Sequence, residues 1–182
     1  MIRLLYAIIC INSFCASNIV RGCAITMLYP KERSVCFTGH RELLHSAAVI
    51  YRETHAITKR LVENGYCFFF VGGAKGFDSL AAQVVLEFQA THPQISLISI
   101  LPFPGSKGEV FRANADPVLF TAEHYFHGVY FQRNRQLVDA ASVCVAYLVK
   151  PTGGTAYTVG YAKKKQIPVV KLFDDPSFPG KN

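Results

Sequence analysis

From Ser34 onward, short apolar runs alternate with stretches whose apolar residues recur at helical intervals, and this alternation narrows the possible folds more than any other feature of the chain. "SVCF" (34–37) reads as a first strand. The stretch from about Ser46 to Asn64 reads as a helix, with Val49, Ile50, Ile57 and Leu61 near one face and Gly65 placed to stop it. "YCFFFV" (66–71) is a second strand that runs into "GGAKGFD", and a helix from Ser79 to about Ala90 carries Leu80, Val84, Val85 and Phe88 at core-facing intervals.

"ISLISIL" (95–101) is a third strand, closed by "PFPG". The stretch from Lys107 to Thr121 is expected to be helical with a break at Pro117, and "HYFHGVY" (124–130) to form a short edge strand. A helix is expected from Phe131 to Ala141. "SVCVAYLV" (142–149) is too apolar to face water on either side, which places it inside the sheet. A GGT loop, a helix to about Lys165 and a last strand, "IPVVKLF", complete a Rossmann-like, three-layer α/β domain with a mostly parallel sheet. In such folds ligands bind beyond the carboxyl ends of the strands, and the distinctive loops of this sequence all fall there.

Among 182 residues, 51% are apolar and 17% charged, the composition of a packed globular protein with one core. No internal repeat or low-complexity segment is present. The formal charge of +7 favours an anionic ligand or nucleic acid. The one lysine run, Lys163 to Lys165, falls where a helix should end, and the helix dipole accounts for it. Cys36, Cys67 and Cys144 lie inside apolar runs, as free cysteines of a reducing compartment do, and no Cys/His spacing matches a metal site. A cytoplasmic protein with no bound metal or cofactor is the expectation.

Residues 1–26 stand apart. Their apolar run from Leu4 to Ile11 is too short to span a membrane, and the segment is expected to lie outside the fold, as an upstream-start extension or, alternatively, a signal-like or weakly anchoring segment. The domain would then occupy residues 27–182.

Four segments carry residues suited to an anion. In "FTGHR", Gly39 allows close backbone approach, and Thr38 and Arg41 could meet a phosphate or carboxylate; an ordinary turn with a surface arginine fits as well. "GGAKGFDSLAA" spends three glycines in five residues, neither a Walker loop nor GxGxxG. Its Gly72 and Gly73 suit a phosphate cradle, and Asp78 suits either a helix cap or a ribose-hydroxyl acceptor. In "FQRNRQLVD", Arg133 opens a helix whose dipole disfavours it, which calls for a shared anion. In "KPTGGTAYTVGYAKKK", Gly153 and Gly154 let the backbone approach an anion, and Thr155 opens a helix whose free amides favour negative charge. The six histidines form no catalytic or metal pattern.

Taken together, "CFTGHR", "GGAKGFDSLAA", "RNRQLVDAASVCVAY" and "GGTAYTVGYAKKK" resemble the SLOG superfamily, which includes the Smf/DprA proteins and the LOG-type phosphoribohydrolases. The nearest likeness is to its branch of small bacterial and phage-borne proteins similar to YoqJ and YpsA, over about residues 33–173. The resemblance implies a Rossmann-like fold whose glycine loops bind a nucleotide or nucleotide-derived ligand, and the LOG-type members imply a homodimer. In those enzymes the loop PGGxGTxxE supplies a glutamate that works with an arginine on the preceding helix. Here Gly154 and Thr155 match the "GT" and Arg133 the arginine, but Thr158 stands where the glutamate would be. That exchange removes a carboxylate that N-glycosidic cleavage needs. Nucleotide binding or sensing without turnover is the first expectation. Phosphoribohydrolase action using Asp78, and DprA-like single-strand binding, are the alternatives. Thr158 is expected one turn into the helix with its side chain toward the ligand.

Overall fold

A computed structural model describes residues 22–106 and 117–173. A six-stranded sheet, all of its strands parallel, forms the centre, in the order β4-β3-β2-β1-β5-β6. The strands are β1 (Ser34–Gly39), β2 (Phe68–Val71), β3 (Ser96–Leu101), β4 (Val118–Phe120), β5 (Val143–Tyr147) and β6 (Val169–Lys171). The helices are α1 (Gly22–Leu28), α2 (Ala47–Glu63), α3 (Phe77–Thr91), α4 (Val129–Asp139) and α5 (Gly153–Lys164).

Alternate residues of each buried strand serve opposite faces, so the strands are apolar throughout rather than striped. Val35, Phe37, Phe69, Val71, Leu97, Val143 and Val145 point to one face, where they pack with Ile50 and Leu61 of α2 and with Phe77, Val84 and Val85 of α3. Cys36, Phe70, Ile98, Ile100 and Cys144 point to the other, against Leu137 and Val138 of α4 and Ala162 of α5. Phe37, Phe69 and Phe77 are wholly buried, and each contributes about 1.5–3 kcal/mol by leaving water.

Several boundaries differ from the sequence reading, each for a physical reason. The boundary expected after residue 26 cuts through α1, whose Ile25 is only 1% exposed and packs in the second core layer. The fold therefore begins before Met27, while residues 1–21 lie outside the described part. The helix expected over 107–121 falls largely outside it too, but its end is a strand: Val118–Phe120 pairs with β3 as the edge of the sheet. The edge strand expected at 124–130 is turn, and α4 starts at Val129, behind Gly128 in a left-handed conformation (φ 95°).

The chain runs from β1 outward to β4, then returns to place β5 on the other side of β1. The order therefore reverses between β1 and β5. Connections leaving those two strands diverge to opposite faces, which opens a crevice at their carboxyl ends.

Candidate functional site

A cleft of about 350 Å³ occupies that crevice, lined among others by Thr38, Gly39 and Arg41 after β1, Asp78 of α3, Arg133 of α4, and Gly154 and Thr155 of α5. A second cleft of about 260 Å³ adjoins it, with Gly72 and Gly73 in its wall; Arg41, Ala74, Tyr130 and Arg133 line both. Of the ten residues singled out from the sequence, only Gly153 lines neither cleft. It lies at the start of α5 with φ 89° and turns the chain from the β5 loop into the helix.

The loops are joined by their backbones. Phe77 N–H donates to the His40 carbonyl at 3.2 Å, and His40 N–H to the Tyr147 carbonyl at 3.3 Å. Gly39 needs its lack of a side chain, because a Cβ there would sit 2.3 Å from the Phe77 ring. Gly76 (φ 80°) is similarly confined, since a Cβ would lie 2.3 Å from the Arg41 carbonyl oxygen. The buried Tyr147 hydroxyl accepts the Leu44 N–H at 3.0 Å and so ties the β1–α2 loop to the end of β5. Across the cleft mouth, Lys150 Nζ lies 2.9 Å from a Glu42 oxygen and holds that carboxyl below its usual range. Lys150 N–H donates to His40 Nε2 at 3.1 Å.

Arg133 is the centre of the site. It lies in the second turn of α4, not the first, so the dipole does not explain its environment. Its side chain is buried, and Nη1 stands 4.0 Å from Asp78 Oδ2. Gly72 makes room for it: a Cβ at that position would fall 1.3 Å from Nη1. Asp78 is the second residue of α3 and accepts the Ala74 N–H at 3.1 Å, so it closes the glycine loop back on the helix. Burial pushes the Asp78 carboxyl above its usual range despite Arg133 and the Ala74 and Gly72 amides, which pull the other way. Burial also lowers the Arg133 value, with Asp78 opposing it. For both groups, then, desolvation outweighs the pair's attraction. Among the described residues, Arg133 Nε has no hydrogen-bond partner. A buried guanidinium with an unused donor, facing two clefts, is suited to hold an anion.

Thr158 departs from expectation. It is 1% exposed, and its hydroxyl donates to the Gly154 carbonyl at 2.8 Å, so it points back along its own helix and does not line the cleft. Thr155, three residues nearer the amino end, does line it. The sequence reading missed Tyr130, Asn134, Lys150 and His40 as cleft residues. His40, Asn134 and Lys150 lie inside the motifs quoted above, whereas Tyr130 falls in the segment expected to be an edge strand. Among the described residues no group of three or more His, Cys, Asp or Glu side chains converges as a metal site, and no helix is long and apolar enough to cross a membrane.

Comparison with known proteins agrees with this architecture. The family model described as the YspA SLOG family matches residues 40–167. Among solved structures, DNA processing protein A of Helicobacter pylori, whose single-stranded DNA binding has been described, is similar with a TM-score of 0.60 and 21% identity, over 81% of this chain and 68% of that one. DNA processing protein A of Streptococcus pneumoniae gives 0.60 and 18%, over 81% and 52%. The molybdenum cofactor carrier protein of Chlamydomonas reinhardtii gives 0.53 and 19%, over 80% and 79%. At these identities the likeness is one of fold. No curated protein matches the chain.

Proposed function

The chain belongs to the YspA SLOG family, and from that premise we propose that it binds or senses a nucleotide or nucleotide-derived molecule without turning it over. The phosphate would lie in the first cleft between Arg133 and the amino end of α5, with Asp78 placed to accept from ribose hydroxyls. The observation that carries this reading is the buried Arg133 guanidinium, whose Nε is unpartnered and whose carboxylate neighbour is 4.0 Å away. A charge held dry at such a cost needs a counter-ion, and a phosphate supplies both charge and acceptors.

Thermal unfolding with AMP, GMP and the matching nucleosides tests it. A nucleotide at 100 times its dissociation constant should stabilise the folded protein by about 2.7 kcal/mol, and the nucleoside by much less. Equal shifts for nucleotide and nucleoside would remove the phosphate from the reading.

A second reading, binding of single-stranded nucleic acid, is favoured by one feature. Tyr130 lines both clefts and is 41% exposed, and its ring and that of Tyr125 flank Phe103 at 6.5 and 5.9 Å. Exposed aromatics beside cations are the elements of a base-stacking groove. Oligonucleotide affinity that falls steeply with salt would support it.

A further inference from the structure

The second cleft has a character of its own. Among the described residues, its lining holds three cations, Arg41, Lys75 and Arg133, and no carboxylate, whereas the first cleft mixes cations with Asp78 and Glu42. The rest of its wall comes from Gly72, Gly73 and Ala74 of the glycine loop, Leu101 and Pro102 at the end of β3, Ser106 and Tyr130. Two buried polar groups in that lining lack hydrogen-bond partners: the Ser106 hydroxyl, on a residue 4% exposed, and Arg133 Nε, on a residue 7% exposed. Buried polar groups are almost always paired, so two unpaired ones on residues that line one cleft, a cleft without a carboxylate among the described residues, point to a ligand that supplies acceptors. Arg41, Lys75 and Arg133 gathered in one lining raise the local potential for anions further.

We propose that the second cleft is a second anion subsite, so that the molecule bound by this protein carries two anionic groups, one on each side of Arg133. This rests on the first cleft holding a phosphate. Arg133 and Arg41 belong to both clefts and would be shared, while Lys75 and Ser106 would contact the second group alone. The chemical class is therefore a nucleoside diphosphate or a nucleotide phosphorylated at two positions, rather than a nucleoside monophosphate. A base or sugar in the second cleft would leave the buried Arg133 guanidinium without a second charged acceptor, and that argues against it.

Titration calorimetry with AMP, ADP and adenosine 3′,5′-bisphosphate tests the proposal, the last two separating linked from spaced phosphoryl groups. One of the two-anion probes should bind at least about tenfold more tightly than AMP, the ratio one charge-assisted contact provides. Lys75→Ala and Ser106→Ala should each erase most of that advantage and leave AMP affinity as it was. If AMP binds and neither two-anion probe exceeds it, the second subsite is wrong and the phosphate reading of the first cleft stands. If the two variants weaken AMP as much as the better two-anion probe, the second cleft is part of a single site and the proposal is overturned. If none of the three probes binds, both readings fall.

Discussion

Arg133 Nη1 stands 4.0 Å from Asp78 Oδ2, with both side chains more than nine-tenths buried. That spacing gives attraction without a good hydrogen bond, and the geometry leaves the guanidinium incompletely satisfied. Since burial shifts both groups toward their neutral forms, the pair is not a source of folding stability. It holds a positive charge in place at the meeting of two clefts.

Asp78→Asn should therefore keep or raise stability near neutral pH, since asparagine can still accept the Ala74 N–H and carries no charge to desolvate. The sign follows from linkage. A carboxyl raised in the folded state binds more protons folded than unfolded, so stability falls as pH rises from the unfolded value, about 3.9, through the raised folded value. That acid-range fall should be absent from the variant in urea titrations at several pH values. A loss of roughly 3–5 kcal/mol at pH 7 would instead mark a stabilising ion pair.

Arg133→Ala should weaken a phosphorylated ligand by roughly 1.5–3 kcal/mol more than its nucleoside, as expected for a charge-assisted contact. Arg41→Ala should have a smaller effect in the same sense, because Arg41 is exposed and its contact is shared with water. Calorimetry with AMP and adenosine gives both differences, and identical losses for the two ligands would exclude phosphate contact.

Gly72→Ala is a test of positioning. Its methyl group would overlap Arg133 Nη1 at 1.3 Å, and because the arginine is long the guanidinium, not the backbone, should move. Circular dichroism should remain native while phosphate-dependent affinity falls toward that of Arg133→Ala. Unchanged affinity would show that the guanidinium does not need its present place.

Incubation with AMP should release negligible adenine, as followed by chromatography, because Thr158 carries no carboxylate and its hydroxyl is committed to the Gly154 carbonyl. Thr158→Glu should not create activity. With the native side chain 1% exposed, a glutamate there would be buried without a partner, and stability should drop by at least about 1–3 kcal/mol. Brisk adenine release by the unmodified protein would make Asp78 a reacting group.

Cys36 and Cys144 sit opposite each other on β1 and β5, both fully buried. The Cys144 sulfur and burial together push the Cys36 thiol well above its usual value, so little thiolate forms. Both should resist a maleimide reagent in the native protein and react on unfolding. Rapid native labelling at either position, located by mass spectrometry, would show that this part of the sheet opens.

The parallel sheet was legible because its strands are buried on both faces, and continuous apolar runs such as 142–149 fit few other folds. The glycine loops were legible because glycine marks backbone that a side chain would block. Local sequence could not place β4, a three-residue edge strand that exists through its pairing with β3. Nor could it place Ile25, whose burial depends on a core surface assembled from distant strands.

The order of most elements, the carboxyl-edge position of the loops and nine of the twenty-one residues lining the two clefts were readable from sequence, since periodicity and turn chemistry act over a few residues. The partner of Arg133, 55 positions earlier in the chain, was decided by the tertiary structure, as was the division of the site into two clefts, one of them without a carboxylate among the described residues. So was the direction of Thr158: helical spacing placed it on the cleft side, but the packed wall of α5 left its hydroxyl only the Gly154 carbonyl. Burial sets the energy of a charge, and burial is a property of the folded surroundings, which no neighbouring residue encodes.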